Sequence, residues 1–470
     1  MTFHLYNTET REKEAIRPQH GNTIKLYTCG PTIYNFAHIG NFRTYVAEDL
    51  LRRALQFFGF QVDQAMNLTD IDDKTIRGAK EQGIALKEFT DPFRIAFFED
   101  IETLKIQKAE HYPAATEFIP GMIRIVEKLL EQKIAYPASN GSIYFSIRKF
   151  PSYGRLSHFC QEDLKFNASG ENEADEYGKE DATDFVLWKS YDPERDGNIY
   201  WESPFGKGRP GWHIECSAMA MEILGPSIDL HCGGVDNMFP HHENEIAQSE
   251  CFSGRCFVKH WFHVEHLLVD HKKMSKSLGN FYTLRDLLDK GYTGSEVRYL
   301  LLSTHYRTQL NFTFEGLEGA RGALRRIRDH LLRLSEVHSS STHSIDSLLQ
   351  AADQKFAGAL AEDLNISAAL AVLFDFLREL NISLDQNLLG EASAKKALQL
   401  YHKWDQVLGV LPFPESTQIP DALFVLLEKR EVARREKNFR LSDQIRAEIL
   451  HAGYLIEDTP QGPRLKKGES

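Results

Sequence analysis

Cysteine is scarce. Six residues (Cys29, Cys160, Cys216, Cys232, Cys251 and Cys256) are scattered over 470, too few and too uneven for a disulfide framework, so free thiols or metal ligands are expected. No apolar run approaches about 18 residues, so no transmembrane helix and no membrane partner are expected. The first residues, Met1 to Glu9, lack a basic stretch followed by an apolar block. No secretory leader is therefore expected, and the expected address is cytoplasmic. A G-x-x-x-x-G-K-[ST] loop is missing, which excludes a P-loop enzyme. An excess of positive charge is missing too. The formal net charge of -12 opposes nonspecific nucleic-acid binding but leaves room for a local basic face. Arg321, Arg325, Arg326, Arg328 and Arg333 form one such cluster, and Arg430, Arg434, Arg435, Lys437, Arg440 and Arg446 another. Each alone reads equally well as a solvated helix face.

What is present is an ordinary globular composition, 42% hydrophobic and 26% charged, in a length that suggests about three domains. One stretch organises the rest. Ile24, Leu26 and Thr28 alternate with Lys25 and Tyr27, which predicts a strand. Val46, Leu50, Leu51, Ala54, Leu55 and Phe58 recur at helical spacing, with Gly59 expected to end the helix. A second strand is expected over Phe60 to Leu68. The turn between the first strand and the helix, Cys29-Gly30-Pro31-Thr32 through His38-Ile39-Gly40-Asn41, carries one cysteine and one histidine. Ligands of open α/β sheets bind at such strand ends, and a helix start opposite Gly40 suits a phosphate.

Farther along, Asn67 to Lys74 holds three carboxylates, and Thr69 or Asp70 is expected to cap a helix. Residues 75–135 read as helical. A strand-rich insertion follows from Ile143, with an acidic surface loop over 168–184. Trp212 to Ser217 starts a helix, Ile228 to His231 is a strand, and Gly233-Gly234-Val235-Asp236 leads to Phe239-Pro240-His241-His242-Glu243-Asn244-Glu245. On that helix His241 and Glu245 share a face, while His242 is expected to point elsewhere. Phe262 to Val269 reads as a strand before the basic loop Lys272-Lys273-Met274-Ser275-Lys276-Ser277. Residues 316–410 are helical. Pro412, Pro414 and Pro420 mark a linker to a last module of helices and a strand at Tyr454 to Asp458.

Two metal sets compete. Cys29, Cys216, His241 and Glu245 come from separate loops of one sheet edge and make a soft, tetrahedral-capable S₂NO set. Cys251, Cys256, His260 and His263 are close in sequence, at intervals like those of a local zinc finger. On spacing alone the local set is the better candidate, and no metal at all is the plainest reading. The histidine pair is not H-E-x-x-H, so a metalloprotease is excluded. The lysines of the basic loop suit a triphosphate and the charge that develops as pyrophosphate leaves.

The His-Ile-Gly-Asn turn together with Lys-Met-Ser-Lys-Ser resembles the class I aminoacyl-tRNA synthetases. Cys29-Gly30-Pro31-Thr32, Gly211-Trp212-His213-Ile214-Glu215-Cys216-Ser217 and Phe239 to Glu245 narrow the resemblance to the cysteinyl-tRNA synthetase family in its bacterial form, over nearly the whole chain. The resemblance implies an α/β, Rossmann-like parallel-sheet catalytic domain with an insertion, then a helical bundle and a small mixed α/β module. The implied boundaries are 1–135 and 206–265 for the catalytic halves, 136–205 for the insertion and 266–315 for the stem carrying the lysine loop. The bundle would take 316–412, binding tRNA, and the anticodon module 421–470.

The resemblance also implies the reaction: L-cysteine and ATP give cysteinyl-adenylate and pyrophosphate, and cysteine passes to the 3′-terminal adenosine of tRNA(Cys). It reverses the metal ranking. Zn²⁺ would sit on Cys29, Cys216, His241 and Glu245, and either gain a fifth ligand or lose Glu245 when cysteine arrives. His38, Gly40 and Asn41 would meet the phosphates of ATP, delivered with Mg²⁺. Lys273 and Lys276 would hold pyrophosphate, Asp236 the ribose, Thr69 the backbone end of cysteine, and Trp212 would close over it beside Cys29. Phe439 and Leu465 stand where the family commonly has tryptophans. A monomer is expected. Two readings compete: a cysteine ligase acting on an amino sugar in thiol-cofactor synthesis, and a catalytically silent zinc protein that binds RNA. The intact C-terminal module opposes the first, and the intact signature motifs oppose the second.

Overall fold

A computed structural model describes residues 1–159, 184–275, 278–414, 420–459 and 462–467. Cys160, Lys276 and nearly all of the acidic stretch 168–184 lie outside these. The chain divides into two compact units, Met1–Pro412 and Phe413–Ser470.

The first unit opens with an antiparallel pair, β1 (His4–Asn7) and β2 (Glu12–Ala15). The anticipated strand–helix–strand follows as β3 (Thr23–Thr28), α1 (Ile39–Phe57) and β4 (Gln61–Met66), with β3 and β4 parallel from Thr23 opposite Gln61 to Thr28 opposite Met66. The helical apolar positions Val46, Leu50, Leu51, Ala54 and Leu55 are all buried. Phe58 caps α1 and Gly59, at φ +91°, turns the chain away.

The next helix, α2 (Asp73–Gln82), is capped by Asp72, whose side chain accepts from the N–H groups of Lys74 and Thr75. Neither Thr69 nor Asp70 does this. Ile71 dips into the core and turns Asp70 toward Thr116, which donates to it through backbone and hydroxyl. Next come α3 (Leu86–Thr103) and α4 (Ile119–Glu131). The insertion is an antiparallel sheet of β5 (Ala135–Pro137), β6 (Ile143–Phe145), β7 (Phe185–Ser190) and β8 (Gly208–Pro210).

The second half supplies α5 (Trp212–Leu224), β9 (Ile228–Gly234), α6 (Glu243–Ser253) and β10 (Val258–Val264). The last strand begins four residues before the expected Phe262. It separates at Glu265 from β11 (Leu267–Val269), which joins another sheet. The central sheet is parallel throughout, in the order β10-β9-β3-β4. From β3 the chain crosses to one side and from β9 to the other, so the gap between their carboxyl ends is the switch point where ligands bind.

Beyond it lie β12 (Lys272–Lys273), α7 (Leu284–Asp289), α8 (Gly294–Ser303) and β13 (Leu310–Phe312). β11 pairs antiparallel with β12 and parallel with β13. Four helices follow, α9 (Phe314–Ser335), α10 (Asp346–Ala361), α11 (Ile366–Asp385) and α12 (Glu391–Leu408), packed through Phe356, Phe376, Tyr401 and Trp404.

The second unit holds α13 (Asp421–Arg435), α14 (Phe439–His451) and a hairpin of β14 (Tyr454–Thr459) and β15 (Gly462–Lys467). The sequence reading found only the first strand, because β15 is lysine-rich and does not alternate cleanly. Leu465 is buried with Leu423, Leu427, Ile445 and Ile449. It is therefore a core residue here, whereas Phe439 is 64% exposed. Among the described residues no helix is long and apolar enough to cross a membrane.

One buried group works against the fold. Glu48 in α1 is 1% exposed, and neither carboxyl oxygen has a hydrogen-bond partner. Burial pushes its carboxyl well above the usual range, so the folded chain holds a proton that the unfolded chain has released. Its contribution to stability is therefore intact below about pH 4.5 and is lost as pH rises, by about 1.4 kcal/mol per unit while the folded carboxyl stays protonated. Glu48→Met is expected to raise the unfolding midpoint at pH 8 and to change little at pH 4.5. An equal shift at both values would mean that titration of Glu48 is not involved.

Candidate metal and nucleotide site

At the switch point the end of β3 delivers Cys29. Its N–H continues the ladder by donating to Cys232 O on β9 at 3.1 Å. Gly30 follows with its N–H on Asn67 Oδ1 at 2.9 Å, and a Cβ there would lie 1.9 Å from Asn67 O. Only glycine lets the two loops approach this closely. Cys216 comes from the second turn of α5, and His241 and Glu245 from the turn into α6. One ligand atom from each of Cys29, Cys216, His241 and Glu245 lies within 4.8 Å of the others, and all four residues are buried.

The charge pattern suits a cation. A hydrogen bond from Cys29 lowers the Cys216 thiol to about 6, against burial. The same bond, with burial, pushes Cys29 well up, so the pair shares one proton. Burial pushes Glu245 up, but His231 and His241 outweigh it and its carboxyl falls to about 2. Burial lowers His241, and the charges of Cys216 and Glu245 outweigh that, raising it to about 10. Glu245 Oε1 sits 3.0 Å from His241 Nε2 yet makes no hydrogen bond. A buried oxygen of this kind, beside two thiols and an imidazole, fits a soft divalent ion.

The structure corrects the expectation for His242. It is fully buried, with Nε2 3.3 Å from Cys29 Sγ and Nδ1 2.8 Å from His263 Nε2. Gly233 permits this, since a Cβ there would lie 2.8 Å from His242 Cε1. Together with Cys29, His231 and Glu245 it makes a second overlapping ligand set. His231 Nε2 lies 3.0 Å from Glu245 Oε2, and His213 Nδ1 2.9 Å from His241 Nδ1. Sequence reasoning missed His213 and His231 at this site and put His263 in the rival set, because strand register brings His231 and His263 here and α5 packing brings His213, none of which local spacing shows. His231 and Trp261 face each other across β9 and β10.

The rival set is taken apart. His260 and His263 are three apart on β10 and so point to opposite faces. His263 bonds Thr8 and His242, while His260 lies 3.6 Å from Glu14. Cys256 donates to Val258 O, and burial pushes the Cys251 thiol up to about 11.

On the nucleotide side His38 caps α1. Its Nδ1 accepts from Asn41 N at 3.2 Å, and Asn41 Oδ1 accepts from His38 N at 3.1 Å. With Nδ1 used as an acceptor, the ring proton sits on Nε2, a donor suited to a phosphate oxygen. Asn41 therefore shapes the turn with its side chain. Ile39 N donates to Tyr282 O at 3.0 Å, and Met274 Cε would lie 3.2 Å from a Cβ on Gly40. The His-Ile-Gly-Asn turn and the lysine loop thus meet. Lys273 is exposed on β12, and its carbonyl accepts from Asn280. Asp236 is exposed just past β9. Thr69 is buried, with Oγ1 accepting from Asn67 at 3.1 Å. Trp212 is 43% exposed and stacked on His241, ring centroids 4.2 Å apart.

The basic cluster on α9 is partly spent inside the protein. Arg321 pairs with Glu296 and Glu318, Arg333 with Asp385, and Arg326 lies over the Phe374 ring.

Comparison with known proteins gives family matches along most of the chain. Residues 15–322 match the family described as tRNA synthetases class I (C) catalytic domain, and residues 355–412 match the DALR domain. The chain is 60% identical over 465 residues to a cysteine–tRNA ligase of Protochlamydia amoebophila (strain UWE25), covering 98% of this chain and 97% of that protein. It is 53% identical over 484 residues to one of Chlamydia trachomatis serovar A, covering 99% of this chain and 100% of that one. In fold it is similar to Mycobacterium tuberculosis methionyl-tRNA synthetase in complex with methionyl-adenylate, with TM-score 0.58 and 13% identity over 82% of this chain and 90% of that one.

Proposed function

Because the chain belongs to the cysteinyl-tRNA synthetase family of class I aminoacyl-tRNA synthetases, we propose that it chooses its amino acid through a zinc ion held by Cys29, Cys216, His241 and Glu245. The protein is an ATP-dependent cysteine–tRNA ligase. The cysteine carboxylate attacks the α-phosphate of ATP, pyrophosphate leaves, and the acyl group of the adenylate passes to tRNA(Cys). The chain forms no covalent bond to substrate, so its residues act by placement and charge.

In this reading His38 donates from Nε2 to a phosphate oxygen, and the start of α1 at Gly40 offers its N–H groups. Lys273 and Lys276 neutralise departing pyrophosphate, with Mg²⁺ accompanying ATP, and Asp236 accepts from the ribose hydroxyls. Thr69 lies beside the Cys29 turn to orient the backbone of cysteine, and Trp212 covers it. Cys29, Cys216, His241 and Glu245 would hold the zinc ion, which would supply a soft Lewis acid for a thiolate that a serine hydroxyl cannot match. Shape alone would separate the two by about 10²-fold. The bundle 316–412 and the module 421–470 would receive tRNA, the latter at the anticodon. All proposed ligands come from one chain, which supports a monomer, acting in the cytoplasm where tRNA is charged. Against the amino-sugar alternative, the cysteine–tRNA ligases match this chain through its C-terminal module.

The observation that carries the reading is the meeting of the two signature turns beside four buried donors at the sheet's switch point. ATP–pyrophosphate exchange is the test, run with cysteine and with serine, with and without a zinc chelator. Exchange is expected with cysteine only, and is expected to vanish with chelation. Chelator-resistant discrimination would sink the metal role.

A further inference from the structure

Arg43, five residues past His38 on α1, is 1% exposed. It enters no ion pair among those of the described residues. Its guanidinium instead donates to four main-chain carbonyls. Nη1 reaches Leu301 O at 2.5 Å and Thr304 O at 3.1 Å, and Nη2 reaches His305 O at 2.8 Å and Thr308 O at 3.4 Å. These carbonyls belong to the last turn and cap of α8 and to the turn that runs into β13. That turn is wired onward. Glu265 N donates to Tyr306 O and Leu310 N to His266 O. β13 then pairs with β11, and β11 with β12, which carries Lys273.

We infer that Arg43 is a positioning residue for adenylate formation: its four-carbonyl fork sets the His38 turn against the strand that carries Lys273. Two features favour this over a plain structural anchor. Burying a guanidinium without a carboxylate is costly, and an apolar side chain would fill the space without that cost. Only the planar fork of arginine can bind four carbonyls in fixed directions; a lysine cannot. The stiff linkage also starts within about 8 Å of His38 along the helix, and a 1 Å error in placing reacting groups costs about 10²-fold in rate. This rests on the reading that His38 and Lys273 hold ATP.

The test compares Arg43→Met, Arg43→Lys, His38→Ala and Arg298→Met in pyrophosphate exchange, each well below its unfolding temperature. Arg298 is a second buried arginine, on α8, but it pairs with Asp49 near the middle of α1 rather than with the turn next to His38. Arg43→Met is expected to lose about 10²-fold in kcat, with KM for cysteine little changed because Cys29 and Cys216 stand on other elements. Arg43→Lys should fold and fall between it and the parent. Arg298→Met should lose stability and keep kcat. If Arg43→Met and Arg43→Lys lower the unfolding temperature while kcat holds, or if Arg298→Met loses kcat equally, the inference is overturned. If His38→Ala retains full exchange, the ATP reading fails, and this inference with it.

Discussion

Cys216→Ser is expected to empty the metal site and to lower kcat/KM for cysteine by about 10³- to 10⁴-fold, or roughly 4–5.5 kcal/mol. Cys216 is the anionic member of the thiol pair, its proton weakened by Cys29. A serine hydroxyl keeps its proton near neutral pH, so the substitution removes a negative charge and a soft donor from a fully buried set. His241 and Glu245 would then face a neutral partner, and divalent affinity falls with ligand charge and softness. The second consequence is in selectivity. The ratio of cysteine to serine activation should drop toward the 10²-fold that shape can supply. Metal content by atomic absorption and exchange assays with both amino acids give the two readouts. A variant that keeps stoichiometric zinc and unchanged discrimination would show that the ion is held elsewhere, with the His231–His242 set the alternative.

Asp49→Ala is expected to destabilise the first unit by about 3–5 kcal/mol. Arg298 is wholly buried between α1, α8 and the end of α12. It donates to Leu408 O at 2.8 Å and Leu104 O at 3.1 Å, and to the Asp49 carboxylate. Asp49 also accepts from Arg53 and from Gln107 N. Removing the carboxylate leaves a guanidinium charge in low dielectric with carbonyls only, and the low exposure of the pair admits little screening. The double variant Asp49→Ala/Arg298→Met removes both charges and should recover most of the loss, since apolar replacement of a buried pair is often neutral. Thermal unfolding of the parent, both singles and the double gives the coupling. Additive losses in the double would mean that the pair does not act as a unit.

The strand β3, the start of β9 at Ile228, the helix over Ile39–Phe57 and the paired signature turns are legible along the chain, whereas the Gly-rich end of β9, read as loop after His231, is held as strand to Gly234 by its pairing with β10. The legible elements depend on alternation, on 3.6-residue periodicity and on short-range turn chemistry, each carried by residues within about ten positions of one another. Arg43 and Arg298 are not legible in this way. An arginine in an amphipathic helix reads as solvated until the packing of another helix buries it. The cap of α2 fell two or three residues beyond the expectation because burial of Ile71 set the direction of Asp70.

The metal centre divides the same way. Cys29, Cys216, His241 and Glu245 could be named from motifs, yet local spacing preferred Cys251, Cys256, His260 and His263. The linear chain determined which residues carry chemistry and which segments become strands and helices, because those depend on near neighbours. Only the tertiary structure decided which donors share a cavity. Parallel pairing brings β3, β9 and β10 side by side from distant parts of the chain, and the two-residue period of a strand sends His260 and His263 to opposite faces. The kinked turn at Phe239 and the space beside Gly233 turned His242 inward, although its position on the helix alone had pointed it away.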